Sequence, residues 1–339
     1  MKPIKVGLIG LGKFGELESE ILFNMDSVIL DAFSSRSSKR LEEFGERFSV
    51  NKLYTDYEEL VSEKELDAVF ITSSSENHAM QAKYALENNK NVFVEKPLAL
   101  SYEEGKSIVK IAEKKELLLM VGFLSRFDHK LRMLKECINN GSFGSLAYLS
   151  FHRSCSKSLL ENSNYLDPVQ ETMIHDIDLA LWLSQSNVNK VNAINISSVN
   201  CNKKSSAYLA TLSFENGMGA VFETDWLIPN SAPVNSLKGE RTVDAHLKVI
   251  GDKARAKINF INNGLTIWGK NKIINPLTGL NDVIGERIRG ALYDQLYHFV
   301  ECINNKTEST IASSQDALYG LKIVEKILNS AETGREILL

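Results

Sequence analysis

The chain has 339 residues, enough for two domains of ordinary size. A 43% hydrophobic and 24% charged composition with six prolines is that of a folded globular protein and excludes long disordered tracts. A net charge of -4 leaves no basic stripe for a phosphate backbone, and no apolar run is long enough to span a bilayer, so neither nucleic acid nor membrane is expected as a partner.

Along residues 1–122 short apolar runs alternate with helical stretches. The runs fall at 4–9, 28–34, 67–72, 91–95 and 117–121 and are rich in Val, Ile, Leu and Phe, as strands buried on both faces are. Ser37–Phe48 and Asn77–Asn88 read as helices between them. Ser101 with Glu104 forms a capping box that opens another helix, running to about Lys115. This alternation predicts an α/β fold with a doubly wound parallel sheet.

The pattern changes over 123–339. A helix is expected at 126–140, ended by Asn140-Gly141. Longer strands follow at 146–152, 190–200, 207–214, 219–226, 246–251 and 254–260. Turn signals such as Glu215-Asn216-Gly217 suggest antiparallel hairpins between several of them. One helix at 168–184 interrupts the series, and helices at 286–304 and 315–333 close the chain. The second domain, 123–339, is therefore expected to be α+β with a mostly antiparallel sheet.

The first strand feeds Gly10-Leu11-Gly12-Lys13-Phe14-Gly15, which precedes a helix. Glycines there permit a tight turn and let backbone N–H groups approach a dinucleotide pyrophosphate, to which the helix N-terminus adds partial positive charge. A structural strand–helix turn is the competing reading. Asp31 stands at about the spacing of a residue that would hold ribose hydroxyls, but Ala32-Phe33-Ser34 continues the strand beyond it. The strand ends at Ser34-Ser35-Arg36-Ser37, where small hydroxyls and an arginine, with Arg40 nearby, suit a 2′-phosphate. NADP(H) is thus favoured over NAD(H), against the alternative that Arg36 is only a solvated loop residue.

Two further groups carry chemistry. Asn91-Val92-Phe93-Val94 runs into Glu95-Lys96-Pro97, which puts a lysine and a turn-fixing proline, whose preceding bond can be cis, at a strand end where ligands of such sheets bind. A lysine buried there could hydrogen-bond a substrate hydroxyl. Farther on, Glu171, His175 and Asp178 fall at i, i+4 and i+7 and so share a face of an ideal helix, where flanking carboxylates would orient and tune the histidine for proton transfer. An amphipathic helix with a solvated polar face fits that spacing equally well, and no third zinc ligand is evident nearby. The four cysteines, Cys137, Cys155, Cys201 and Cys302, are far apart and lack C-x-x-C spacing, so free thiols are expected. The N-terminus enters a strand at once, without a leader-like apolar stretch and cleavage site, and the expected location is the cytoplasm.

Taken together these residues resemble the glucose–fructose oxidoreductase / inositol dehydrogenase / rhizopine-catabolism (Gfo/Idh/MocA) family. The ordered set is Ile4–Gly12, Asn77-His78, Glu95-Lys96-Pro97-Leu98-Ala99, Val121-Gly122-Phe123 with Arg126-Phe127, His175-Asp176-Ile177-Asp178 and a closing helix before Gly334-Arg335-Glu336. The resemblance implies a Rossmann domain at 1–122 and a substrate-binding and oligomerisation domain at 123–339 whose open sheet face makes contacts in a homodimer or homotetramer. It implies hydride transfer between nicotinamide and a hydroxyl or keto carbon of a sugar, polyol or sugar nucleotide. Lys96 then looks like the lysine near the reacting hydroxyl and His175 like the general base. Lys13, Phe14, Ser35, Thr72, Ser73, Ser74, Asn77, His78 and the Glu95-Lys96-Pro97 turn would join the glycines at the cofactor, and Arg126, Arg153 and Asp178 would be candidates for substrate, with a surface or structural role the stronger reading for either arginine alone. The chain departs from the family where an Asp usually precedes the histidine by four, here Glu171, and where Thr-Pro is usual, here Thr72-Ser73. The stretch Ile174–Asp178 and the later Asp225-Trp226-Leu227-Ile228-Pro229 look most like the sugar-nucleotide 3-dehydrogenase branch. A cofactor-recycling glycosidase of the same fold, and a non-catalytic NADP(H)-binding sensor, are the alternatives.

Overall fold

A computed structural model describes residues 3–161, 166–197, 205–232, 242–261, 267–268, 273–274, 282–284 and 287–339. The chain divides into two compact units, 1–127 with 280–321 and 128–279 with 322–339. The first unit opens with β1 (Ile4–Ile9), α1 (Lys13–Phe23), β2 (Val28–Ser34), α2 (Ser38–Phe48), β3 (Lys52–Tyr54) and α3 (Tyr57–Val61). It continues with β4 (Ala68–Ile71), α4 (Ser75–Glu87), β5 (Asn91–Val94), α5 (Tyr102–Lys115) and β6 (Leu119–Val121). The six strands are all parallel in the order β3-β2-β1-β4-β5-β6. That is the doubly wound arrangement the apolar runs imply, and its order reverses between β1 and β4. Val6, Leu8, Phe33, Phe70 and Phe93 are fully buried within it. The capping box is present, with Ser101 Oγ accepting from the Glu104 N–H at the start of α5.

The second unit contains α6 (His129–Asn139), β7 (Leu146–Ser156), α7 (Ser158–Glu161), a π-helical turn (Val169–Met173) and α8 (Ile174–Ser184). Its remaining elements before 280 are β8 (Val188–Ile196), β9 (Ala207–Phe214), β10 (Gly219–Ile228), β11 (Val243–Gly251), β12 (Arg255–Asn259), β13 (Ile267–Trp268) and β14 (Ile273–Ile274). The hairpin β15 (Asp282–Ile284) and β16 (Arg287–Arg289) and helix α9 (Ala291–Asn305) return to the first unit, α10 (Ser314–Thr333) begins there, and β17 (Ile337–Leu338) ends in the second. There Phe299 of α9 packs edge-on against Phe70 and Phe93, with ring centroids 5.3 and 5.7 Å away.

The large sheet of the second unit runs β12-β11-β7-β10-β9-β8-β17. Only β7 and β10 pair in parallel; the other pairs are antiparallel. One face is core, where Phe151 stacks on Phe222 at 5.1 Å. The other face leaves Tyr148, Ile194, Leu209 and Val221 exposed.

Three expected elements differ. The helix at 126–140 is split into a 3-10 turn at Leu124–Phe127 and α6, because Asp128 caps a new start by accepting from the Lys130 N–H. The helix expected from 286 begins only at Ala291: Arg287–Arg289 is strand and Gly290 turns the chain at φ +90°. The helix expected at 168–184 opens as a π turn. Cys137, Cys155 and Cys302 are free thiols, while Cys201 lies outside the described residues. Among the described residues no helix is long and apolar enough to cross a membrane.

Candidate active site

In the first unit a cleft of about 670 Å³ opens at the carboxyl ends of β1, β2 and β4. Three glycines shape it differently. Gly10 has φ +98°, and a Cβ there would stand 2.5 Å from the Ser73 nitrogen, so this turn takes glycine alone. A Cβ on Gly15 would meet the Gly10 carbonyl at 2.0 Å, so α1 can approach β1 this closely only without a side chain. A Cβ on Gly12 would meet nothing within 4 Å; it borders the cleft and leaves its backbone open to a ligand. These are the three tasks a pyrophosphate cradle requires of its glycines. The residues present therefore fit a dinucleotide.

Gly10, Gly12, Thr72, Ser73, Ser74 and Asn77 border the cleft on its glycine side. Thr72 Oγ1 donates to the Gly10 carbonyl and holds the turn. At the end of β2 the walls are Ser34, Ser35, Arg36, Ser37 and Arg40, with no carboxylate among the lining residues. Asp31 sits in mid-strand, paired with Lys52 at 2.8 Å, and does not line the cleft. Arg36 is exposed. Arg40 is otherwise engaged: its Nε and Nη2 donate to the Leu11 carbonyl at 3.1 and 2.9 Å, which ties α2 to the glycine loop. Thr55, Tyr57, Met80 and Gln81 also line the cleft and were not expected from the sequence.

Several expected cofactor residues are not among those lining this cleft. Lys13 and Phe14 are exposed on α1 and do not border the cleft. His78 is buried; its ring nitrogens sit 2.7 Å from the Pro97 carbonyl and 3.0 Å from the Ser73 carbonyl, so it braces the strand-end loops against each other. Lys96-Pro97 is a cis peptide, and Lys96 is half-buried between buried Glu95 and Pro97. Burial pushes the Glu95 carboxyl up to about 7, although the Lys96 charge pulls the other way. Glu18 of α1 is fully buried against it, and burial, then the Glu95 charge, push its carboxyl well above the usual range.

Arg126, expected at substrate, is 1% exposed and donates to the Ile311 carbonyl and to Asp316, at 2.8 and 2.7 Å. It binds the closing segment of the first unit instead.

In the second unit the π turn carries Glu171, with His175 following on the first turn of α8. The π turn is anchored to the sheet: the Trp226 indole on β10 donates to Thr172 Oγ1 at 2.8 Å. An i→i+5 turn breaks the 3.6-residue register, so Glu171, His175 and Asp178 do not form the regular solvated face that the spacing suggests. Glu171 and His175 are half-buried and Asp178 is buried. Arg153 of β7, expected at substrate, forms a bidentate pair with Asp176 at 2.9 and 2.7 Å and lies over the Phe260 ring. That geometry fastens the start of α8 to the sheet.

On the open sheet face His152 lies between Glu223 and Asp244, at 3.3 and 3.6 Å, and stacks on His246. Sequence reading missed this cluster because its members come from three separate strands.

Residues 4–123 match the family model described as "Oxidoreductase family, NAD-binding Rossmann fold", and residues 131–257 match the "GFO/IDH/MocA C-terminal domain". The chain belongs to the Gfo/Idh/MocA family. Among its relatives is myo-inositol 2-dehydrogenase of Thermotoga maritima, 32% identical over 56% of this chain and 57% of that enzyme, so the match spans little more than half of the relative's length. UDP-N-acetylglucosamine 3-dehydrogenase of Acidithiobacillus ferrooxidans is 23% identical over 89% of this Gfo/Idh/MocA chain and 90% of its own. The fold is also that of scyllo-inositol dehydrogenase from Lactobacillus casei, solved with NAD(H) and scyllo-inositol, with a TM-score of 0.84 at 24% identity over 99% of both chains.

Proposed function

We propose that this chain is a nicotinamide-dependent dehydrogenase acting on a hydroxyl or keto carbon of a polyol, sugar or sugar nucleotide. The observation that carries the reading is the glycine cradle at the β1/β4 reversal with Lys96 at the end of the neighbouring strand β5. The cofactor, when bound, supplies the hydride chemistry. Gly10, Gly12 and the start of α1 bind its pyrophosphate, and Ser35 with Arg36 takes the adenosine end. Lys96 donates a hydrogen bond to the substrate hydroxyl oxygen. His175 accepts the hydroxyl proton at an imidazole nitrogen on oxidation and returns it on reduction, and Glu171 orients the ring. Membership in the family and the relatives' named substrates support this reading.

The phosphorylated cofactor is the preferred one. Arg36 is exposed at the cleft wall, and the residues that line the cleft include no carboxylate to repel a 2′-phosphate. The open sheet face carrying Tyr148, Ile194, Leu209 and Val221 is the contact surface of a homodimer or homotetramer, because exposed apolar patches of this kind mark association sites. The test begins with the melting temperature in NAD+, NADH, NADP+ and NADPH, since a ligand bound only by the folded state raises it. A polyol and sugar-nucleotide screen by nicotinamide absorbance follows. A larger shift with NAD(H) would refute the role of Arg36, and no turnover on any member of the screen would refute the dehydrogenase reading.

A further inference from the structure

The buried carboxyls of Glu18 and Glu95 lie close enough for each to bear on the other's charge. Glu18 is on α1, one turn after Gly15, and is 0% exposed; Glu95 follows β5 and is 8% exposed. The backbone closes over the pair: a Cβ on Gly122 would stand 2.6 Å from Glu95 Oε1. Among the described residues no N–H or O–H donor reaches either carboxyl oxygen of Glu18. The Lys96 charge acts on Glu95 and favours its ionised form.

Two ionised carboxylates enclosed in this way repel each other, and Glu18 has no donor to offset its lost hydration. A single proton between them turns that repulsion into a hydrogen bond, as it does in other carboxyl pairs that share a site. The pair then carries one negative charge, which the Lys96 ammonium balances. With both groups ionised, a second negative charge would draw that ammonium inward, away from a substrate.

We propose that Glu18 and Glu95 hold one proton between them at neutral pH, and that this shared proton makes Glu18 a positioning residue for Lys96. The first half stands on the burial of both carboxyls, the donorless oxygens of Glu18 and the closeness of the two groups. The second rests on the reading of Lys96 as the group at the substrate hydroxyl.

The sign of the pH effect follows from linkage. An acid whose folded pKa is raised contributes stability that is whole below its unfolded value and is lost as pH rises through the folded one. The melting temperature of the wild type should therefore fall as pH rises from about 5 to about 9. Glu18→Gln gives Glu95 a permanent N–H donor. Its curve should be flatter and should cross above the wild type at the alkaline end by several degrees. Parallel curves overturn the shared proton. Should Glu18→Gln fail to fold, the wild type labelled with 13C-glutamate serves: a protonated-carboxyl infrared band at neutral pH supports the proposal and its absence overturns it.

The positioning role is read from kcat/KM against pH. In the wild type the alkaline limb should fall where the shared proton is lost, and Glu18→Gln should move that limb while leaving the cofactor-induced melting shift unchanged. An unmoved limb overturns positioning. A protein without dehydrogenase activity would defeat the functional reading while the melting and infrared results still decide the proton.

Discussion

The two units build their site residues by different means. In the first, the cradle is made by backbone within a few residues of Gly10, and three glycines decide its shape. In the second, His175 is placed by contacts from distant strands, through the Trp226–Thr172 hydrogen bond and the Arg153–Asp176 pair. A site made of backbone can be altered one atom at a time, whereas a site hung on long-range side-chain contacts fails through its supports as readily as through its reacting groups.

The largest effect should come from the two residues proposed to act on the substrate hydroxyl. Lys96→Ala and His175→Ala are each expected to lower kcat/KM by roughly 10²–10⁴-fold while the cofactor-induced melting shift stays near normal. Near-normal turnover in either variant removes that residue from the mechanism. Next come the supports of the second unit. Arg153→Ala leaves Asp176 buried and unpaired, so unfolding in denaturant should show a loss of about 3–5 kcal/mol. A loss below about 1 kcal/mol would mean that Asp176 finds another partner.

The glycines separate fold from function within the first unit. Gly15→Ala must displace the Gly10 carbonyl and should cost about 1–3 kcal/mol along with cofactor binding. Gly12→Ala, with nothing within 4 Å of its Cβ, should melt like the wild type yet lose most of its cofactor shift. Equal destabilisation by both would break the comparison. The smallest effect concerns preference: Arg36→Ala should lower the NADP-to-NAD affinity ratio about tenfold, measured by calorimetric titration, without changing the melting temperature of the ligand-free protein.

How much of this was legible follows the same division. The parallel sheet could be read because strands buried on both faces leave unbroken Val/Ile/Leu/Phe runs, and because Gly10, Gly12 and Gly15 act locally. Strand β3 and helix α3 were missed: β3 has three residues, none fully buried, and carries no apolar run. Thr55 and Tyr57 on the cleft wall were missed with them. The π turn was invisible because the helical spacing of Glu171 and His175 assumes 3.6 residues per turn, while its anchor on the sheet, Trp226, lies 54 positions from Thr172. Arg126 looked available for substrate because its partner, Asp316, is 190 positions downstream.

The tie between Arg40 and the Leu11 carbonyl has an evolutionary consequence. It gives Arg40, alongside Thr72, a share in holding the glycine loop and leaves Arg36, four positions earlier, outside that contact. A lineage carrying this arrangement can change which cofactor it uses by single substitutions at the exposed end of β2 without first securing a stabilising mutation elsewhere. Drift at Arg40 has no such freedom, because losing its guanidinium removes the two hydrogen bonds to the Leu11 carbonyl of the glycine loop.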